Sequence, residues 1–385
     1  MVNPGAARPR AATSTGARSI GRRAAVIGAV AVLASACASS ASIVRDQGNQ
    51  DEDELSVSVS GNQLIDQDEQ PIQLVGVNFS GAQYACAEGW GIFDAPATHE
   101  SIEALKSWGI NAVRLPLNES CWLGINGVDP RYGGDNYREA IGDWVRRLNN
   151  HGFYVIVDEH HTHNGDGLAV DQQPMANRDH ADDYWKSVAD YFKDSPAVLF
   201  DLFNEPYPDD NTASKAAWTC VRDGGDCPGV PYVAAGMQEM LDAVRSTGAK
   251  NPVLIAGPEY AGTLRRWKKY APDDPDEQLV ASVHIYGGPL SSPYADEARW
   301  DPEISRVADK VPVIIGEMGE TDCAHDFIDR LMPWADRHRV SYFAWGWVTS
   351  PCAGEPALIR NYDGTPTPYG IGFRAHVRDL DLRQQ

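Results

Sequence analysis

Residues 198–210 read "VLFDLFNEPYPDD", and this stretch decides the fold. An apolar run typical of a buried strand ends at Asn204 and Glu205, and Pro206 then stops the strand. Burying an ionised carboxylate without compensation costs several kcal/mol. A core strand with a glutamate at its tip therefore indicates a functional site rather than packing alone.

Similar apolar runs recur along the chain, and they alternate with amphipathic stretches that often end on glycine, as helices do. The predicted strands are 72–78, 111–117, 153–159, 197–203, 252–257, 279–286, 311–317 and 340–347. Eight strand–helix units favour an α/β fold of the (β/α)8 TIM-barrel type over a doubly wound sheet. The absence of a glycine-rich loop after the first strand argues against dinucleotide binding. Residues 55–71 alternate with period two around Gly61-Asn62, which predicts a short N-terminal β-hairpin closing the barrel's floor.

The chain carries a formal net charge of −21, and its charge is unevenly distributed. Residues 1–45 hold six basic residues and no acidic ones, so the remainder is more acidic still. The strong negative charge of the residues beyond 45 argues against binding to nucleic acid or an anionic membrane. A negative net charge does not exclude a neutral ligand such as a sugar.

The N-terminus resembles an export signal. Arg22-Arg23 precede a short apolar run rich in small residues, and Ala34-Ser35-Ala36 supplies a cleavage pattern. We predict an export signal over 1–37, with Cys37 as a candidate lipid-anchor site, a flexible tether over 38–54, and a single catalytic domain over 55–385. An anchored N-terminal helix is the alternative. The expected location is extracellular or at the cell surface, and we expect a monomer with no membrane-spanning segment in the mature chain.

Six cysteines follow the signal, and an even number in an exported chain predicts disulfides. Local spacing favours the pairs Cys86–Cys121, Cys220–Cys227 and Cys323–Cys352. Free buried thiols or a zinc site are the alternatives, although no pair has the CxxC spacing that zinc prefers.

In a barrel of this kind, chemistry occurs at the carboxyl ends of the strands. Two glutamates, Glu205 and Glu317, lie at the tips of the fourth and seventh predicted strands, which face each other across a closed ring. Paired carboxylates are what glycoside hydrolysis requires, one protonated and the other ionised. Other strand ends supply further polar and aromatic side chains: Arg114, Asp158, His160, Asn204, His284, Tyr286, Trp345 and Trp347.

Seven ordered pieces at these strands resemble glycoside hydrolase family 5, the cellulase-type members of the clan A (β/α)8 retaining glycosidases. They are "LVGVNFSG", "WGINAVRLPL", "VIVDEHH", "LFNEPY", "SVHIYG", "VIIGEMG" and "FAWGW". The resemblance implies a retaining hydrolase of β-linked glycans, with a β-1,4-glucanase as the default and no cofactor. An exo-acting β-glycosidase or a β-mannanase would use the same site.

The resemblance also implies roles for individual residues. Glu205 matches the general acid/base and Glu317 the nucleophile, for which Glu320 is the competing glutamate. Substrate-binding roles fall to the remaining members: Asn204 at the sugar 2-hydroxyl, Arg114 and Tyr286 around the nucleophile, His160 and His284 as active-site histidines, and Trp345 as the platform under the sugar.

Three alternatives stand beside this interpretation. The cluster "DEHHTH" over 158–163 also suits a metal-dependent hydrolase, but the first strand supplies no ligand, and we expect no catalytic metal. A barrel that binds glycan without cutting it is the non-enzymatic alternative. Trp90 and Trp122, in long loops, are either outer sugar contacts or loop packing.

Overall fold

The computed structural model describes residues 54–288, 292–352 and 354–380. Its central feature is a closed barrel of eight strands in which neighbouring strands run parallel. Around the barrel the order is β4 (Val75–Asn78), β5 (Ala112–Asn118), β6 (Tyr154–His161), β7 (Val198–Asp201), β10 (Val253–Ala256), β11 (Leu279–Gly287), β12 (Val313–Glu320) and β13 (Ser341–Ala344). The predicted (β/α)8 fold is therefore confirmed.

The strands, in chain order, are β1 (Ser58–Ser60), β2 (Gln63–Ile65), β3 (Pro71–Ile72), β4 (Val75–Asn78), β5 (Ala112–Asn118), β6 (Tyr154–His161), β7 (Val198–Asp201), β8 (Gly225–Asp226), β9 (Val233–Ala234), β10 (Val253–Ala256), β11 (Leu279–Gly287), β12 (Val313–Glu320), β13 (Ser341–Ala344), β14 (Ile359–Asn361) and β15 (Thr365–Pro366). The helices are α1 (His99–Ser107), α2 (Glu119–Leu123), α3 (Asp135–Asn149), α4 (Ala181–Phe192), α5 (Pro208–Asn211), α6 (Lys215–Asp223), α7 (Met237–Ser246), α8 (Trp267–Tyr270), α9 (Arg306–Ala308), α10 (Ile328–Arg337) and α11 (Pro368–Asp379).

Each of the eight predicted strands coincides with a barrel strand, with shifts of a few residues at the ends. Val233 and Ala234 pair with Asp226 and Gly225 in a two-stranded ribbon, and α7 begins at Met237.

The barrel's floor is a three-stranded antiparallel sheet, β1-β2-β3, rather than the simple hairpin predicted. The third strand forms because Asp66 Oδ1 accepts the backbone N–H groups of Asp68 and Gln70 and turns the chain back. Beneath the barrel, Val57 and Leu64 pack into a buried apolar cluster with residues from the amino ends of the barrel strands, including Ile156 and Leu254. This plug leaves the opposite end of the barrel for the site.

The three predicted disulfides are confirmed: Cys86–Cys121, Cys220–Cys227 and Cys323–Cys352. The first joins the loop after β4 to α2, and the third joins the loop after β12 to the loop after β13. Both therefore brace loops that follow the carboxyl ends of barrel strands.

The predicted export signal over 1–37, the candidate anchor Cys37 and nearly all of the predicted tether over 38–54 lie outside the described residues. Within the described part of the chain, no helix combines the length and apolar character needed to cross a bilayer.

Candidate active site

Arg114, on β5, is the electrostatic centre of the barrel's carboxyl end. Its side chain is fully buried, and its guanidinium lies 2.9 Å from Glu317 Oε1 and 3.0 Å from both Asp158 Oδ2 and Asp201 Oδ2. Burial alone would lower the pKa of Arg114, but the three carboxylates outweigh it and raise the pKa above its usual value. One permanent cation thus compensates several buried carboxylates, which would otherwise be costly in this position.

Two asparagines complete the shell around Arg114. The guanidinium donates hydrogen bonds of 2.9 Å to Asn78 Oδ1 and to Asn204 Oδ1. Asn78 in turn donates to the carbonyl of Gly316, next to Glu317, with a distance of 3.0 Å. The rigid fork of arginine therefore couples β4, β5, the end of β7 and β12 around one point.

Glu317, on β12, is held by donors to both of its carboxylate oxygens. Arg114 donates to Oε1, and the Tyr286 hydroxyl donates to Oε2 at 2.6 Å. Burial and the nearby Glu317 carboxylate raise the pKa of Tyr286 well above its usual value, so this hydroxyl keeps its proton. Donors on both oxygens fix the orientation of the carboxylate.

Glu205, just beyond β7, has a different environment. Its Oε1 lies 2.8 Å from His284 Nδ1, and its Oε2 accepts a 2.8 Å hydrogen bond from Gln172 Nε2. Burial raises the pKa of Glu205 to about 7. Burial also lowers the pKa of His284 to about 4, so the imidazole is neutral at pH 7. Glu205 can therefore exchange a proton near neutral pH.

A shift in strand register places His284, which contacts Glu205, next to Glu317. The pairing between β11 and β12 changes after Val283, so that His284 lies opposite Glu317. One oxygen each of Glu205 and Glu317 and one nitrogen of His284 all lie within 4.8 Å of one another. A carboxylate pair at this distance, with one member protonated and one ionised, suits attack at a carbon and proton donation to the departing oxygen.

An aromatic surface lies beside this pair. His160, on β6, has its Nδ1 2.7 Å from Asp158 Oδ2, and its ring stacks on Trp345 with centroids 5.5 Å apart and planes inclined by 19°. Burial lowers the pKa of His160 to about 3, so the ring stays neutral. Trp345 lines a cavity of about 540 Å³ that also contains Glu205 and Glu317.

The structure brings all eight sequence-predicted site residues into this one cluster: Arg114, His160, Asn204, Glu205, His284, Tyr286, Glu317 and Trp345. The competing glutamate, Glu320, points elsewhere. Its Oε1 accepts the backbone N–H groups of Phe327 and Ile328 and thereby caps the start of α10.

Other sequence candidates lie outside the cluster. Trp122 is fully buried and donates to Ser187 Oγ at 3.0 Å, so it is loop packing rather than a sugar contact. Trp90 is 47% exposed and donates to Glu88 Oε2 at 2.9 Å. Glu159 packs outside the barrel, where it accepts a 2.9 Å bond from Trp185.

The residues of "DEHHTH" do not converge on a metal site. In the described ranges, the side-chain groups placed to hold a cation do not include His161 or His163. His163 Nδ1 contacts the Asn164 carbonyl instead, at 2.8 Å.

Sequence reasoning missed several residues that shape the site. Gln172 comes from a long loop without any periodic pattern, and no sequence signal would have found it. Asp201, an acid inside the apolar run of β7, was visible as a second misplaced carboxylate. Tyr260 lines the cavity, and its ring packs on Tyr207 with centroids 4.6 Å apart.

The Tyr260 position is built by an unusual turn. Glu259, Tyr260 and Ala261 have φ values of 62°, 56° and 55°, the left-handed region that side chains rarely adopt. The Tyr260 N–H donates to the Pro206 carbonyl at 3.0 Å, which ties the turn to the residue after Glu205. Such dihedral angles cluster at functional sites.

Comparison with known proteins finds relatives among the glycoside hydrolases. The family model for cellulase (glycosyl hydrolase family 5) matches residues 65–350. Among curated proteins, the chain is 28% identical to endoglucanase C of Evansella cellulosilytica over 58% of this chain and 26% of that protein. It is 24% identical to endoglucanase A of Butyrivibrio fibrisolvens over 70% of this chain and 53% of that protein. The chain thus spans between about a quarter and just over half of the length of these relatives.

Among solved structures, the chain is similar to a β-glucanase from Saccharophagus degradans in complex with cellotetraose. The TM-score is 0.65 at 22% identity, covering 85% of this chain and 94% of that one. This likeness concerns the fold.

Proposed function

Because the chain belongs to glycosyl hydrolase family 5, we propose that it is a retaining glycoside hydrolase that cleaves β-linked glycans, with β-1,4-glucan as its substrate. Glu205 is the general acid/base and Glu317 the nucleophile. The observation that carries the proposal is the approach of the two carboxylates to within 4.8 Å between their nearest ligand atoms. Retaining enzymes hold the two carboxyl groups about 5–5.5 Å apart, whereas inverting enzymes leave about 6.5–9.5 Å for a water molecule.

The reaction proceeds in two displacements. Glu317, ionised and oriented by Arg114 and Tyr286, attacks the anomeric carbon, while protonated Glu205 gives its proton to the leaving oxygen. The result is a glycosyl ester on Glu317 and a free leaving sugar. Water then attacks the same carbon as Glu205 takes its proton, which releases the product with its original configuration.

The remaining residues bind and orient the sugar. Asn204 is fixed by Arg114 so that its amide N–H₂ can reach the 2-hydroxyl, and Trp345 offers an aromatic face for the apolar face of the ring. Tyr260 lines the same cavity as Glu205 and offers a second aromatic face to the substrate. Support for β-1,4-glucan comes from the relatives, which are named as endoglucanases.

We also propose an extracellular or cell-surface location, because three disulfides persist where the environment is oxidising. We further propose that Cys37 carries a lipid anchor and that the protein is a monomer.

The test is hydrolysis of cello-oligosaccharides by the wild type, Glu205→Gln and Glu317→Gln, with Glu103→Gln on the outer helix α1 as the matched control. Loss of the general acid lowers the rate by roughly 10²–10⁴-fold, loss of the nucleophile lowers it at least as far, and the control retains full rate. Full activity in either site variant would refute the assignment. A wild type that binds a panel of β-glycans and cuts none would establish the non-catalytic barrel, and product sizes separate endo- from exo-action.

A further inference from the structure

One face of this acidic protein is strongly basic. A cavity of about 570 Å³ on the side of the barrel is lined by five cations and a single carboxylate, that of Glu303. We call these five cations the basic face: Arg265, Arg266, Lys268, Lys269 and Arg306. The net charge of −21 argues against anionic partners for the chain as a whole. That argument does not hold for this surface, where the local charge is positive.

The outward position of the basic face follows from how the segment "LRRWKKY" (264–270) is anchored. Trp267 is buried, and its indole N–H donates to the Ile255 carbonyl on β10 at 2.8 Å. The N–H of buried Leu264 donates to the Tyr294 hydroxyl at 2.8 Å. With these two residues fixed inward, the four neighbouring cations are exposed to solvent.

The charge of the basic face is not compensated within the described residues. Glu303 is already engaged by Arg299, whose guanidinium donates to both of its oxygens at 3.1 and 3.0 Å. Across the parts of the chain that the structure describes, no ion pair within 4.0 Å joins a carboxylate to any member of the basic face. Clustered like charges repel each other, and an external polyanion would relieve that repulsion.

The basic face lies next to the active-site cavity lined by Glu205 and Glu317, here called the cleft, but the two surfaces differ in charge. Tyr260 lines the cleft and Leu264 lines the basic cavity, and four residues span at most about 14 Å. The described residues that line the cleft include Glu259 and Glu355 besides the two proposed catalytic glutamates, but no lysine or arginine. A polyanion is therefore attracted to the basic face and repelled from the cleft, so it is a docking partner rather than a substrate.

We propose that the basic face is a docking site for an anionic polysaccharide whose repeating units carry carboxylates, and that it holds the enzyme beside the neutral glycan that it cuts. The choice of a polyuronate rests on the proposed function, because the polymer in contact with a polysaccharide substrate is another polysaccharide. Arginine forks suit carboxylates, and a row of cations suits a polymer with regularly spaced charges.

The test measures binding of the intact protein to surface-immobilised polygalacturonate, with polyphosphate and dextran, a neutral α-linked glucan that the proposed active site does not take, as comparison surfaces. The test variant carries Arg265→Gln, Arg266→Gln, Lys268→Gln and Lys269→Gln. The matched control carries Lys106→Gln, Arg146→Gln, Lys215→Gln and Arg360→Gln, four exposed cations elsewhere with the same change in charge. Circular dichroism and thermal unfolding check that both fold.

We expect the wild type and the control to bind polygalacturonate and to be released at 1 M salt, where the Debye length is about 3 Å. The test variant should bind roughly 10- to 100-fold more weakly, as four contributions typical of exposed ion pairs imply. Equal binding to dextran, retention by polyphosphate alone, or an equal loss in both variants would overturn the proposal. Binding does not require hydrolysis, so an enzyme inactive on β-glucan would refute the proposed function separately.

Discussion

Replacing Gln172 by methionine should move the alkaline limb of the pH–activity profile upward. The Gln172 side chain donates to Glu205 Oε2 at 2.8 Å, and a donor at this position favours the ionised carboxylate. It therefore lowers the pKa of Glu205 against burial, which raises that pKa to about 7. Methionine has a similar length and shape but no N–H group, so the variant loses the donor without leaving a cavity.

The magnitude follows from the strength of this bond. A hydrogen bond to a charged group contributes about 1.5–3 kcal/mol when buried. Gln172 is only half-buried, and water replaces part of the lost bond, which leaves about 1 kcal/mol. Since one pKa unit corresponds to about 1.4 kcal/mol, the pKa of Glu205 should rise by about 0.5–1 unit.

The sign is fixed by the role of Glu205 as an acid. The protonated form is active, so activity falls as pH rises through the pKa, and a higher pKa moves that fall to higher pH. The assay is the pH dependence of kcat/KM for cellotetraose, which reports the free enzyme. Gln67→Met, at the barrel's floor, is the control and should leave the profile unchanged. An alkaline limb that stays in place or moves downward would refute the reasoning.

Three further predictions concern the frame of the site. Arg114→Met leaves three buried carboxylates facing each other and should lower the free energy of unfolding in urea by about 3–5 kcal/mol at pH 7; a loss below about 1 kcal/mol would contradict the central role of this cation. Tyr260→Ala should lower kcat/KM for cellotetraose about 3- to 10-fold through lost stacking, while Tyr260→Phe retains it; equal losses would argue against a stacking role. Replacing Cys323 and Cys352 by serine opens a link between residues 29 apart and should lower the free energy of unfolding by about 3–4 kcal/mol, measured by denaturant titration without reductant; an unchanged midpoint would contradict this.

Much of the site could be predicted from sequence because parallel strands bring their carboxyl ends to one rim. Glu205, Glu317 and Arg114 are separated by up to 203 positions. The two glutamates stand at or near the ends of apolar runs and Arg114 lies within one, so the three meet when the barrel closes. The apolar pattern of the strands was therefore enough to predict that these side chains meet, even though the loop structures were unknown.

The parts that sequence analysis missed or left open depend on loops and short elements. Gln172 reaches Glu205 from a loop without a repeating pattern. Tyr260 depends on a left-handed turn at three residues, none of them glycine, so the sequence carries no warning of it. Trp122 belongs to α2, a helix of only five residues that is too short for an amphipathic pattern to predict its burial.

The most direct test of the central claim is mechanism-based labelling of the nucleophile. A 2-deoxy-2-fluoro β-cellobioside with an activated leaving group should trap the glycosyl-enzyme, because the fluorine slows both displacements and the activated leaving group speeds only the first. Mass spectrometry of the digested protein should find one added 2-deoxy-2-fluorocellobiosyl group, on the peptide that contains Glu317, and none after Glu317→Gln. An adduct on a different residue, or turnover with inverted configuration and no adduct, would contradict the account.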